Sequence, residues 1–521
     1  MTKRWLLLLC LAVSPTCAPA APLAPADIDR VVTGAMREYQ VPGVAVGIVK
    51  DGKLVFAKGY GVRALGETDP VDADTVFAIA SNTKAFTTAA LATLVDSGKL
   101  SWDDRVIDHV PEFRMWDSWV TREFTVRDLL THRSGLGLGA GDMLFVTPTD
   151  FTKHDIIRAL RYLKPVTSFR SQFAYDNNMY AVAGEVITSV TGKSWEDYVT
   201  DTLLKPLHMD GCAANAARLP AGAKLAAPHV VSEKRLQKIT PLDIAAAAPA
   251  GAIHCNVTGL GKWVAMQLAH GVAADGTRIF SEAQGTEMWT PQTILAVSGK
   301  RAQLTRTHFQ SYGLGFGLED FEGYKRVEHN GGLPGMVTHI SMIPELNLGV
   351  IVLTNQQVGE VLDAVTLSIL ESYTGGAKHD WLAIEKQATA EREQKIREAD
   401  AKRLPPQAEA GWKPSDPQAY VGVYNDPWRG DATVSRSGDQ LRLTFSHTRA
   451  LSGVLTPAGT DLFIVRWDDR TLDADAYVRF TTDFANKVAG FTMRAVSDST
   501  DFSFDFQDLD FTLQAPSASA H

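Results

Sequence analysis

The segment HDWLAIEKQATAEREQKIREADAKR, residues 379–403, ends at Pro405-Pro406 and separates two parts of the chain with different hydrophobic periods. Rich in Ala, Glu, Lys and Arg, it reads as a charged, solvated helical connector and not as a basic binding patch. Beyond it, from Tyr420, the period is two. Leu441, Leu443 and Phe445 alternate with polar residues, as do Phe463, Val465 and Trp467, and Phe502, Phe504 and Phe506. Pairs such as Gly438-Asp439 supply turns, so this part is expected to form a small all-β barrel or sandwich of about 100 residues. At 521 residues the chain exceeds one ordinary core. The expected division is 1–20 as a signal peptide, 21–375 as a first domain, 376–412 as the connector and 413–515 as the β domain.

Ahead of the connector the pattern is mixed. PADIDRVVTGAMREY puts Ile28, Val31, Val32 and Met36 on one helical face. Two apolar runs around Asp51-Gly52 signal a hairpin. A helix follows with Phe86, Ala90 and Leu94 on one side and Gly98 as its stop. Further helical stretches are TVRDLLTH and YAVAGEVITSVTG. After residue 300 strands return as YGLGFGL, THISMIPE and LGVIVLTN, and a last amphipathic helix spans 359–373. This order predicts an α+β fold, an antiparallel sheet closed by both ends of the domain with helices on its faces.

The first twenty residues have a basic start at Lys3 and Arg4, an apolar core from Trp5 to Val13, and Ala18 and Ala20 in an A-x-A arrangement. They read as a secretory signal peptide, which implies a periplasmic or secreted protein. A lipid anchor at Cys17 is disfavoured by the SPT before it. No later segment is long and apolar enough to cross a membrane. A net charge of -9 without a basic run argues against nucleic acid as partner. After signal removal Cys212 and Cys255 remain; an oxidising compartment permits a bridge, and the favoured reading is two separate, partly buried thiols. Assembly into a homo-oligomer is left open.

Chemistry concentrates in three stretches. In FAIASNTKAF, Ser81 and Lys84 lie three residues apart and share one face of a helix start. The helix dipole there favours an alkoxide, and a partly buried lysine gives up its proton readily enough to take one from serine. FAYDNNMYAVAGEV places Tyr175, Asp176 and Asn177 just ahead of a helix, where a tyrosine can relay a proton to a leaving group. VEHNGGLPGMVTHISMIP places His329, Asn330, Gly331 and Gly332 on a strand edge. Glycines there let a substrate backbone lie close, and a free N–H can help form an oxyanion hole.

The ordered set S-x-x-K, Y-x-N, H-x-G resembles the penicillin-recognising serine hydrolases, in the branch with class C β-lactamases, DD-carboxypeptidases, D-aminopeptidases and related esterases. The likeness covers residues 26 to 373, with support from VKDGKLVFAKGYGV, FTVRDLLTHRSGLG and YGLGFGL. It implies Ser81 as nucleophile, Lys84 as base or proton-network partner, Tyr175 as proton carrier and Asn177 as orienter of the substrate amide and the lysine. His329 and Gly331 would line the substrate side, with the Ser81 and Gly332 N–H groups as oxyanion hole and no metal or organic cofactor. His329 stands where many β-lactamases of the group carry a lysine that helps hold a substrate carboxylate, and Asp176 stands where a small residue is usual, an added carboxylate expected near the site and unfavourable to anionic substrates; both count against efficient β-lactamase activity and leave peptidase or esterase chemistry open. The β domain, through YVGVYNDPWRGDATV and LRLTF, resembles the lipocalin-like domains that follow this catalytic fold in some exported members.

Three other stretches are set aside. Gly313, Gly315 and Gly317 do not make a nucleotide-binding fingerprint. Ser134 lacks the first glycine of a nucleophile elbow. His254-Cys255 is a single pair without further metal ligands. The expectation is an exported serine hydrolase acting on a small amide or ester, with D-amino-acid peptides among the candidates. The alternatives are a β-lactamase, or a penicillin-binding sensor or scaffold with little turnover.

Overall fold

A computed structural model of the chain describes residues 21–403 and 416–515. The expected signal peptide and the last part of the expected connector, 404–412, lie outside the described residues.

Eight strands form one antiparallel sheet. In spatial order they are Lys53–Gly61, Gly43–Lys50, Leu348–Thr354, Met336–Ile343, Tyr324–Leu333, Gly317–Phe321, Gln310–Tyr312 and Thr293–Leu295. Early and late strands meet at its centre, where Val46 pairs with Val352. Asp51 and Gly52, at φ 52° and 74°, make the mirror-image turn that matches strand twist and closes the first hairpin. Both faces of the central strands are buried, which is why they read as unbroken apolar runs. Val44, Val46 and Ile48 pack with Val350 and Val352 under the helices Pro25–Tyr39 and Gly359–Thr374. Ala45 and Val49 pack with Ile351 and Leu353 on the other side, beneath Thr83–Asp96 and Val257–Leu268. Each fully buried aliphatic side chain contributes about 1.5–3 kcal/mol.

Helix Trp381–Arg403 occupies the connector. It is mostly exposed, as its charge implies, but it is anchored at both ends. The buried Trp381 donates Nε1–H to Glu371 Oε2 at 3.1 Å. Asp400 accepts from Ser497 Oγ at 2.6 Å and from the Asp498 N–H at 3.1 Å.

The C-terminal part is a closed barrel of eight antiparallel strands, from Gly422–Asp426 to Asp510–Leu513, with Tyr424 opposite Leu513 at the closure. Its interior is filled with side chains: the rings of Tyr424, Phe480, Phe491 and Phe511 stand 4.5–5.9 Å apart in sequence of contact. The period-two reading holds for Leu441, Leu443 and Phe445 and for Phe463, Val465 and Trp467, which are all buried. It fails at Phe502, Phe504 and Phe506. That stretch is not a strand; it is irregular chain leading into the single turn Phe506–Asp508. Phe504 and Phe506 stack inward, but Phe502 leaves the barrel and meets the first domain, so its alternation reports two different neighbours.

The two cysteines are not separate thiols. Cys212 and Cys255 form a disulfide across 43 residues of sequence. The backbone brings them together, because Ala213 and His254 exchange both of their N–H···O bonds at 2.9 and 3.0 Å. Spacing in the sequence carries no trace of that bridge.

Candidate active site

The chain reaches Ser81 through the short strand Phe77–Ala78, which pairs with His254–Cys255. Ala80 then adopts φ 48°, a left-handed conformation that costs a non-glycine residue about 1–2 kcal/mol. The kink starts a single turn, Ala80–Asn82, that runs into helix Thr83–Asp96 and leaves Ser81 half-buried at its start. Asn82 secures the turn by donating to Thr338 Oγ1 at 2.9 Å, and Thr338 in turn donates to the Ile79 carbonyl.

Lys84 is fully buried and donates to Ser81 Oγ at 3.0 Å, Asn177 Oδ1 at 2.6 Å and the Ala250 carbonyl at 2.9 Å. Burial pulls its pKa down to about 7, opposed by the nearby charges of Asp142 and Asp176. A lysine in this setting is half neutral at neutral pH and aimed at a serine hydroxyl. Tyr175 lies alongside, its ring centre 4.8 Å from Lys84 Nζ and its hydroxyl in contact with the Ser81 side chain. Burial raises its pKa well above the phenol value, so it keeps its proton. Asn177 does not cap its helix. Its amide joins Lys84 to Asp142, donating Nδ2–H to Asp142 Oδ2 at 2.8 Å.

His329 is buried on strand Tyr324–Leu333 and stands 6.3 Å from Tyr175, ring centre to ring centre. Its Nδ1–H donates to the Asn330 carbonyl, so Nε2 is left to accept the Tyr312 hydroxyl at 2.8 Å. Burial and the Lys84 charge bring its pKa down to about 4, and the imidazole is neutral. The strand pairs with Gly317–Phe321 only as far as Glu328, so from His329 to Leu333 that edge has no partner strand among the described residues. Gly331 and Gly332 differ in use. A Cβ on Gly331 would lie 2.3 Å from the Ile79 carbonyl oxygen, so this glycine admits the turn that carries Ser81. Gly332 is exposed, and a Cβ there would meet only the Val337 side chain, at 3.9 Å.

Asp176 does not enter the site. It is fully buried, accepts from Ser134 Oγ at 3.0 Å and from the Asn178 N–H at 3.2 Å, and burial pushes its pKa up to about 7. The expectation that it would repel anionic substrates directly is corrected by this placement: its effect reaches the site through Lys84. Ser134, set aside as a nucleophile, is the group that holds it.

Sequence reasoning missed four contributors. His132 sits among the rings of Tyr175, Tyr180 and Tyr312 at 4.2, 5.6 and 4.7 Å, and burial holds it neutral. It accepts the Asp176 N–H at Nδ1 and so supports the Tyr175 segment from behind. Its only sequence signal was the THRSGLG stretch. Tyr180 and Tyr312 lie inside FAYDNNMYAVAGEV and YGLGFGL without being marked out there from their neighbours, and Asp142 lies in none of the stretches that the motifs single out. Among the described residues no group of His, Cys, Asp or Glu is placed to hold a metal ion, and no helix is long and apolar enough to cross a membrane.

A family model described as Beta-lactamase matches residues 28–372. The chain belongs to the beta-lactamase family. A second model, described as a domain of unknown function, matches residues 408–513. Among curated relatives, an unguisins hydrolase of Aspergillus campestris is 29% identical over 347 residues, covering 63% of this chain and 61% of the relative. The protein flp of Staphylococcus aureus is 34% identical over 183 residues, 35% of this chain and 37% of flp. The chain thus spans less than two thirds of the length of these relatives. Among solved structures, an octameric penicillin-binding protein homologue from Pyrococcus abyssi matches 94% of this chain and all of its own at 22% identity, TM-score 0.60. A D-stereospecific amidohydrolase from Streptomyces matches 66% of this chain and 98% of its own at 20% identity, TM-score 0.53. A class C beta-lactamase matches 67% and 94% at 19% identity, TM-score 0.54. At these identities the structures speak for the fold of this family member.

Proposed function

We propose that the protein is an exported serine hydrolase that opens small amides or esters, foremost amides and peptides of D-amino acids, through an acyl-enzyme at Ser81. The observation that carries this reading is the buried Lys84 amine, with a pKa near 7, in hydrogen-bond contact with Ser81 Oγ. Neutral Lys84 takes the Ser81 proton as Oγ attacks the substrate carbonyl carbon. The Ser81 and Gly332 N–H groups receive the oxyanion, an arrangement in which each donor contributes about 3 kcal/mol. Tyr175 carries a proton to the departing amine or alcohol, and water then attacks the ester carbonyl to release the acid.

The neutral His329 supports amides and esters over carboxylate-bearing β-lactams, because it offers no fixed cation to an anionic substrate. The unpartnered strand edge from His329 to Leu333 suits an extended peptide. Hydrolysis of unguisins and D-stereospecific amide hydrolysis by similar proteins point the same way. The disulfide accords with export to an oxidising compartment. The test is hydrolysis of a chromogenic short-chain ester and a panel of D-aminoacyl amides, with labelling by a fluorescent penicillin, beside Ser81→Ala. Turnover lost in the variant, rising through pH 7 to a plateau as Lys84 deprotonates, is expected. Labelling without turnover would favour the penicillin-binding sensor, and neither labelling nor turnover would end the hydrolase reading.

A further inference from the structure

The barrel reaches into the site just described. Its segment 501–509, where the strand pattern fails, grips the turn around Asp142. Asp505 accepts the Gly141 N–H at 2.6 Å and the Met143 N–H at 3.2 Å, one residue to either side of Asp142. Ser503 donates its hydroxyl to Asp142 Oδ2 at 2.9 Å, and the same oxygen accepts Asn177 Nδ2–H at 2.8 Å. Asp142 is fully buried, and its Oδ1 has no protein partner among the described residues. The orientation of that carboxylate therefore rests on two bonds, one from its own domain and one from the barrel. Phe502 completes the contact, lying edge-on to Tyr175 at 6.2 Å between ring centres.

We infer that Ser503 is a positioning residue for the Ser81–Lys84 centre: Ser503, Asp142 and Asn177 form one hydrogen-bonded line from the barrel to Lys84 Nζ. The inference rests on the proposed role of Lys84 as base. Asn177 can orient Lys84 only while its own amide is held the right way round, and Asp142 Oδ2 does this by accepting Nδ2–H; burial pushes the Asp142 pKa well up, and the Asn177 and Ser503 donors are the groups that favour its carboxylate form. Without the Ser503 hydroxyl, Asp142 keeps one tether and Asn177 loses its fixed frame. The titratable groups that face this line are Asp176, Asp505, Tyr175, Tyr180, His132 and His329, and none of them replaces the missing donor to Asp142 Oδ2.

The experiment compares the full chain with Ser503→Ala, Ser503→Thr and His447→Ala, the last removing the His447–Asp150 pair elsewhere on the same domain interface. Hydrolysis of a short-chain chromogenic ester is measured together with the titration of Lys84, followed by NMR on protein carrying carbon-labelled lysine and assigned with Lys84→Met. Ser503→Ala is expected to lower kcat about tenfold with KM within about twofold, the split that marks lost positioning of reacting groups. Its Lys84 midpoint should fall, because Asp142 then holds a proton more readily and supports the ammonium less. Ser503→Thr should restore both readouts, and His447→Ala should leave both near wild type. Equal losses in Ser503→Ala and His447→Ala would reduce the effect to docking and overturn the inference. So would unchanged kcat and midpoint in Ser503→Ala. If wild type shows no Ser81-dependent turnover, the hydrolase reading falls, while the Lys84 titration still decides whether Ser503 acts on it.

Discussion

Replacing Lys84 by methionine is expected to abolish turnover and to change how stability depends on pH. The folded-state pKa is about 7, against 10.5 for an ordinary lysine. Between those values the unfolded chain binds the proton that the folded protein has released, so stability rises with pH through this window. Each pH unit is worth about 1.36 kcal/mol at full slope, and the slope is half that at pH 7, so from pH 7 to pH 9 wild type gains about 2.3 kcal/mol from this one group. Below pH 7 both states hold the proton, and the full cost of the buried ammonium is present. Methionine lacks that dependence. It also strands the Asn177 and Ala250 oxygens, at about 1–3 kcal/mol each, but that loss is the same at every pH. Urea unfolding of both proteins at pH 7 and pH 9 reads this ionisation; loss of the ammonium also lets the neighbouring Asp176 carboxyl hold its proton more readily, which lowers the variant's gain and widens the gap. The wild-type gain should exceed the variant's by about 2–3 kcal/mol. Parallel curves would mean that Lys84 stays an ordinary ammonium at neutral pH, and the general-base role would fall with that result.

Three further outcomes are expected. Cys212→Ser with Cys255→Ser should lower unfolding stability by about 3–4 kcal/mol, the loop-closure effect for a 43-residue separation, measured by denaturant unfolding under oxidising conditions. Tyr312→Phe removes the donor to His329 Nε2 and should cost about 1–2 kcal/mol of stability, with a severalfold fall in kcat/KM for the ester; an unchanged melt would refute the assigned hydrogen bond. Phe502→Ala should open the wall beside Tyr175 and raise kcat/KM severalfold for bulky acyl esters relative to short ones; an unchanged ratio would place Phe502 outside the substrate path.

Local pattern carries a good part of this protein. Period-two alternation and turn pairs mark the barrel strands, the Asp51-Gly52 hairpin closes where its turn residues place it, and the spacing of Ser81 and Lys84 puts them on one face at a helix start. These are properties of neighbouring residues, and backbone geometry translates them directly into shape. The protonation of Lys84 is not of that kind. It depends on how completely packing excludes water and on two carboxylates far away in sequence, so the serine–lysine spacing is the same whether the amine is charged or neutral. Asp176 shows the same division: beside Tyr175 in the chain it reads as a carboxylate near the substrate, yet the turn at His132 and Ser134 holds it buried behind the site. The disulfide and the line from Ser503 to Lys84 join segments 43 and several hundred residues apart. Such contacts leave no local period, and only the closing of the sheet and the docking of the barrel bring them into being.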